Sequence, residues 1–232
     1  MKLHELSFAC YVYAGMSDYD SSYGRLRSET SPQIDLSIQE HQLALLRWLN
    51  DWGCRQFSKD HHALAANEIS LWYKDFSPRF FSPQKTLLSL SNVELNFVQE
   101  AFGNIMHRTA SMRQTRNKQI SRIEIGPTGA AKILFALRPD ALVPWDISIR
   151  SDHELDGTAG SYRSFLIIVR DHLNELNSEC EKYGTNLKDL PVLLGRPESS
   201  LVKLVDEFFW VTITRKCLPP SINLLTRWNE WC

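Results

Sequence analysis

The chain has 232 residues, 43% hydrophobic and 23% charged, with a formal net charge of −1. That apolar share and small net charge exclude a disordered chain, and ten Gly and ten Pro exclude collagen-like or low-complexity sequence. The length allows one large core or two small lobes.

Five scattered cysteines (Cys10, Cys54, Cys180, Cys217, Cys232) lack any C-x-x-C spacing. A disulfide framework, a zinc ribbon and a cysteine-held iron–sulfur cluster are therefore not expected, and a reducing cytoplasm fits. No apolar run approaches the roughly 20 residues that span a membrane.

The N-terminal run Leu6 to Met16 is mostly apolar and is expected to be a retained strand or buried arm, not a signal peptide. Residues 17–34 are polar and predict a long loop, with Tyr11, Tyr13, Tyr19 and Tyr23 in or beside it. From Asp35, a candidate cap, the residues Ile38, Leu45, Leu49 and Trp52 recur at helical spacing, and Gly53 ends the pattern. A second helix is predicted over about 61–75, before the Pro78–Pro83 stretch. Ser91-Asn-Val-Glu94 has the form of a capping box, and Phe97, Ala101, Phe102 and Ile105 share one helical face behind it.

Residues 108–121 are basic and polar. Gly126-Pro127 then opens a helix through Leu137, with Pro127 suited to a first turn. Pro139 and Pro144 bracket a short turn. Tyr162, Phe165, Leu166, Val169, Leu173 and Leu176 make an amphipathic stripe, and Leu201, Leu204, Val205 and Phe208 make another. Pro219-Pro220 leads into a C-terminal helix ending near Trp231. The class is mainly α, with eight to ten helices and few strands.

The near-zero net charge hides an uneven distribution. Residues 101–150 carry eight Lys or Arg against three acids, and residues 151–200 carry five against nine. A basic segment therefore sits inside a neutral protein, and phosphate binding needs a patch, not a basic total.

That segment holds the run from Ile123 to Arg150. Gly126 makes a tight turn, and the helix it opens presents free N–H groups that can take a phosphate. Thr128 and Gly129 let a nucleic-acid backbone approach, Lys132 lies one turn on, and Arg113, Arg116, Lys118 and Arg122 precede it. Asp146 then stands in an apolar frame, Val143-Pro-Trp-Asp-Ile147. A carboxylate there is either partnered or placed for chemistry. It also suits the N-cap of a helix starting at Ile147, and the two roles are compatible.

The 29 residues 122–150 resemble the helix-hairpin-helix DNA glycosylase superfamily. Gly126 stands at the hairpin glycine, Ala130 at the small residue of the following helix, and Trp145-Asp146-Ile-Ser148 at the Asp motif, with the family's separation between glycine and Asp. The resemblance implies two helical lobes with a cleft between them. Residues 1–232 would form one glycosylase-like unit, its lobes 36–150 (hairpin about 108–138, Asp motif 144–150) and 1–35 plus 151–232. It implies double-stranded DNA as partner, a flipped base, and Asp146 as the catalytic carboxylate. The DNA contacts would come from Gly126, Thr128, Gly129, Lys132, Arg113, Arg116, Lys118, Arg122 and Arg150.

Two positions depart from the family pattern. Glu124 replaces the first hairpin glycine, which puts one phosphate contact in doubt, and Thr128 stands where bifunctional members carry a nucleophilic lysine. The resemblance thus implies a monofunctional enzyme that uses water, with no cofactor. Its base could be a lesion or a modification such as the glucosylated hydroxymethylcytosine of phage DNA, which would place the enzyme in anti-phage defence. Trp145, Tyr19, Tyr23, Arg25 and Arg27 are the candidate pocket residues. A monomer is expected.

Other motifs are weaker. Trp48, Trp52 and Trp72 fall on helical stripes and are expected in the core. His61-His62 cannot easily face one metal from consecutive helical positions and is expected on a solvated surface. Asp152-His153-Glu154 with Asp156 lacks distinctive ligand spacing, so no metal is expected. Two rival readings remain: a non-catalytic DNA-binding protein that kept the fold, and a helical interaction protein in which the Gly126–Asp146 spacing is coincidental.

Overall fold

The computed structural model describes residues 1–16, 19–114 and 117–229, with the side chains of 228 and 229 aside. Arg116 and Trp231 lie outside the described residues. In chain order the α-helices are α1 (Leu3–Met16), α2 (Tyr19–Glu29), α3 (Gln39–Asp51), α4 (His62–Phe76) and α5 (Asn92–Met106). The strands β1 (Thr109–Gln114) and β2 (Ile120–Glu124) follow. Then come α6 (Gly126–Leu137), α7 (Ile147–Asp152), α8 (Ala159–Lys182), α9 (Leu190–Leu193), α10 (Leu201–Phe209) and α11 (Ile222–Asn229). The protein is mainly α, with eleven α-helices and one two-stranded antiparallel sheet among the described residues. None of the described helices is long and apolar enough to cross a membrane.

The chain divides into two units, Met1–Ser17 with Ile168–Cys232, and Asp18–Ile167. The boundaries fall at 17–18 and inside α8, where the sequence placed them at 35–36 and 150–151.

In the first unit, α1 packs on α10. Ala9, Tyr13 and Val211 are buried together, with Phe8, Val12, Phe208 and Trp210 against them. The strand or arm expected at Leu6–Met16 is instead helical. Its apolar residues fall on every face, which removes the stripe that marks a surface helix in sequence. A helix also satisfies its own backbone in an apolar setting, which an unpaired strand does not. Glu179 accepts the Leu3 N–H (2.7 Å) at its first turn.

In the same unit, Arg196 Nη2 lies 2.8 Å from Glu207 Oε1, and Lys203 Nζ lies 2.9 Å from Asp206 Oδ2 and 3.6 Å from Glu207 Oε1. Both cations sit over the Tyr13 ring. Burial alone would depress the Lys203 pKa, but Asp206, Tyr13 and Glu207 hold it well above the usual lysine value. Beyond α10 the helix continues as a π-helical turn, Trp210–Thr214.

In the second unit, α3 buries Leu45, Leu46, Trp48 and Leu49 and ends at Gly53, whose φ of +79° carries no Cβ penalty. Asp35 does not cap α3. It accepts from the Ser37 N–H and hydroxyl in a turn that precedes the helix, and Ile38 occupies the N-cap position. The capping box of α5 forms: Ser91 Oγ accepts the Glu94 N–H (3.3 Å), and Glu94 accepts the Ser91 N–H (2.8 Å). α6 is buried from Gly129 to Leu137 and packs on α3 and α5.

The expected loop at 17–34 is mostly helix. Asp20, Ser21, Ser22 and Gly24 are poor helix formers, so α2 owes its stability to packing on α3. Leu26 is buried, and Trp52 Nε1 donates to Ser22 Oγ (3.1 Å) and the Tyr19 carbonyl (3.2 Å).

Candidate functional site

The site lies within the second unit. Residues 109–114 and 120–124 pair as antiparallel strands, so a strand and not a helix leads into the Gly126 turn. The register pairs Ser111 with Ile123, Met112 with Arg122, Arg113 with Ser121, and Gln114 with Ile120. A bulge lies between Thr109 and Ser111. Ser111 Oγ donates to the Gln56 carbonyl (2.7 Å), tying the base of the ribbon to the body. Lys118, with φ +59°, takes the left-handed region in the connecting turn.

Gly126 carries φ +68°, and nothing lies within 4 Å of a Cβ built there. Its glycine is therefore a matter of backbone conformation, not of space. Pro127 and Thr128 form the first turn of α6, both half-exposed. Gln56 Nε2 donates to the Ile125 carbonyl (2.7 Å) and anchors the turn from beneath.

Trp145 Nε1–H donates to the Pro127 carbonyl at 3.0 Å. This bond ties the turn to the Asp motif, eighteen residues away in sequence. The indole is buried against Phe102, Tyr162 and Phe165. The next residue, Asp146, is half-exposed and caps α7, its Oδ1 accepting the Ile149 N–H at 2.8 Å. Ile147 and Ser148 are exposed beside it.

Arg150 turns back over this corner. Its guanidinium lies 5.5 Å from the Trp145 ring centroid. Burial lowers its pKa, while the charges of Asp146 and Asp156 oppose that shift. Gly157 makes the fit possible, because a Cβ there would stand 2.1 Å from Arg150 Nη1 and 3.1 Å from Pro127 Cγ. Asp156 accepts from the Thr158 N–H (2.9 Å) and the Ser161 hydroxyl, which push its carboxyl down to about 2.

Set against family models, curated proteins and solved structures, the chain matches none. The site therefore rests on its own geometry.

The structure brings Gly126, Thr128, Trp145, Asp146 and Arg150 to one corner and places Arg113, Lys118 and Arg122 on the ribbon that leads into it, the first two exposed and Arg122 likewise. Several expected roles need correction. Lys132 does not reach out to phosphate: it is 9% exposed, and its Nζ donates to the Trp52 carbonyl at 2.5 Å. A lysine one turn inside a helix looks solvated in sequence, but here the end of α3 lies over it. Gly129 is no surface contact either. It is buried, and a Cβ would come within 2.7 Å of Gln56 Nε2 and 2.9 Å of Ile125 Cγ2. Trp145 is 1% exposed and braces the corner from within, so it does not line a pocket. Arg150 lies folded against Trp145 and Gly157 and is half-buried.

Tyr19 and Tyr23 belong to a different aromatic cluster. The Tyr23 ring lies 5.2 Å from Phe135, 5.8 Å from Trp48 and 6.0 Å from Trp52, and Tyr19 also packs on Trp52. Arg25 and Arg27 are exposed on α2. Thus α2 helps build the core under α3, and the pocket expected there does not form from a loop. His61 and His62 are half-buried, not solvated: the His62 ring meets Asn50 Nδ2 at 3.0 Å, and burial lowers its pKa. Among the described residues no three His, Cys, Asp or Glu side chains gather as a metal site would need.

Sequence reasoning missed Gln56, Gly157 and the ribbon's outer face. The ribbon's local signal was slight, a polar Asn117-Lys118 between two short segments. Gln56 had none, because its partner Ile125 lies far along the chain, and Gly157 had none, because the crowding there comes from how Arg150 and Pro127 fold against it.

Proposed function

We propose that this protein is a monofunctional DNA glycosylase that hydrolyses the N-glycosidic bond of a flipped damaged or modified base and leaves an abasic site. The observation that carries this reading is the Trp145–Pro127 hydrogen bond. It supports a fixed relation between the Asp146 carboxylate and the N-terminus of α6, the pairing that the resemblance to the helix-hairpin-helix glycosylases calls for. The α6 amides and the ribbon cations would hold the DNA backbone.

In this mechanism the base leaves its stack to expose the glycosidic bond. As that bond breaks, its electron pair departs with the base, which takes up a proton from solvent, the sugar gains oxocarbenium character, and the Asp146 carboxylate stabilises it. The same carboxylate orients water and accepts its proton, so that hydroxide adds to C1′. The cap bond from Ile149 fixes one carboxylate oxygen without a flexible partner. Asn also caps helices well, so Asp146→Asn removes the charge and keeps the fold.

The test measures base release by mass spectrometry from duplexes carrying normal, damaged and phage-modified bases, with Asp146→Asn as control. A loss of about a hundredfold or more is expected. Undiminished release by the variant would overturn the role of Asp146. A second reading, DNA binding without catalysis, is favoured by the engagement of Asp146 as a helix cap. It is distinguished by salt-dependent DNA affinity with no base released by the wild type.

A further inference from the structure

The β1–β2 ribbon has two unlike faces. Its inner face carries Ser111, bonded to the body, the half-buried Ser121 and Ile123, and the exposed Arg113. Its outer face carries Met112, Gln114, Ile120 and Arg122, and all four are exposed, Ile120 at 73%. Met112 and Ile120 together leave apolar surface on this face that no described element covers. The charge around it is mostly positive: residues 110–123 contain four Lys or Arg and no acid, and Glu124 at the end of β2 lies 3.9 Å from Arg122 Nη2. Arg113 lies on one strand and Arg122 on the other, with Lys118 in the turn between them.

From this placement we infer that the outer face of the ribbon docks in the major groove of double-stranded DNA. The inference rests on the reading of DNA as ligand and adds the mode of contact. A two-stranded ribbon fits the major groove, about 12 Å wide, and not an undeformed minor groove of about 6 Å. Lys118 in the turn and Arg113, exposed on the opposite face of β1, supply positive charge for the flanking phosphates. The outer face then meets base edges with matched chemistry. The Gln114 amide suits adenine N6 and N7, the Arg122 guanidinium suits guanine O6 and N7, and Met112 and Ile120 suit the thymine methyl.

The experiment uses the full chain and a labelled 20-base-pair duplex of mixed sequence. Affinity is read by fluorescence anisotropy across a salt series. Groove occupancy is read by dimethyl sulfate, which methylates guanine N7 in the major groove and adenine N3 in the minor groove. Protection of guanine N7 is expected. Arg113→Gln with Lys118→Gln should flatten the slope of log affinity on log salt by about 0.9 for each phosphate no longer neutralised. Ile120→Ala should weaken binding several-fold and reduce the guanine N7 protection, and Gln114→Arg should strengthen binding and steepen the slope. Protection confined to adenine N3, ribbon variants with wild-type affinity, or binding to anionic phosphatidylserine vesicles without duplex binding would each overturn the inference. The two proposals fail separately. Guanine N7 protection without base release leaves the ribbon inference standing and removes the glycosylase. Base release that Asp146→Asn abolishes but no ribbon variant affects at subsaturating DNA does the reverse.

Discussion

The ribbon and the α10 network treat charge in opposite ways. On the ribbon, Arg113 and Lys118 stand in water with no acid between residues 110 and 123. Around α10, Arg196 and Lys203 are enclosed with Asp206 and Glu207 over the Tyr13 ring. The first arrangement leaves charge available to a ligand. The second uses it within the fold. The basic segment 101–150 itself mixes the two kinds: Lys132 is bonded to Trp52, Arg138 donates to the Phe81 and Leu137 carbonyls, and Arg150 folds onto Trp145. Its excess of five positive charges, eight bases less three acids, therefore overstates what DNA would meet.

Stability measurements can break this contrast. Lys203→Met leaves Asp206 and Glu207 enclosed without their ammonium partner and should cost about 3–5 kcal/mol, read from urea unfolding. If the cost is below about 1 kcal/mol, the network is not a buried ion cluster in solution. Gly129→Ala should cost about 1–3 kcal/mol, because Gln56 and Ile125 must shift. Trp145→Phe keeps the ring packing but strands the Pro127 carbonyl, and about 1–3 kcal/mol is expected from the same urea titration.

The ribbon should respond differently. Arg113→Gln is expected to change unfolding free energy by less than about 0.5 kcal/mol, since nothing in the fold leans on an exposed surface charge. A larger change would remove the contrast between the two regions. The smallest effect is a slope with pH. The Lys85 ammonium and the Ser91 N–H and hydroxyl hold the Glu94 carboxyl at about 2, below its ordinary value. A carboxyl depressed by folding stabilises above its unfolded pKa, and the effect is lost as pH falls toward about 2. Glu94→Gln should flatten the fall of the urea midpoint between about pH 4.5 and 2.

What the sequence revealed was local. The Ser91–Glu94 box, the end of α3 at Gly53 and the start of α6 at Gly126-Pro127 are each written within a few neighbouring residues, and all three form as read. What it hid was set by tertiary contacts. α1 has apolar residues on all faces, so its period is invisible. α2 has a loop-like composition and is helical because Tyr23 and Leu26 pack beneath it. The ribbon lacks the alternating apolar residues of a half-buried strand, since its outward apolar residues, Met112 and Ile120, share their face with Gln114 and Arg122. At the site, the spacing of Gly126 and Asp146 was legible, but the bond joining them runs through Trp145, which looked like a pocket wall. Lys132 and Gly129 were misjudged because the groups that cover them, Trp52 and Gln56, lie far earlier in the chain.

The Lys132–Trp52 contact bears on what a reaction at Asp146 would leave behind. An abasic sugar opens to an aldehyde, and an amine that condenses with it can lead to strand scission. That condensation needs a neutral, exposed nitrogen. The Lys132 nitrogen instead donates its hydrogen bond to a backbone carbonyl and lies 5.6 Å from the centroid of the Trp52 ring. A lysine so engaged would not reach that aldehyde, and the DNA would then be released with a base missing and its sugar–phosphate backbone continuous.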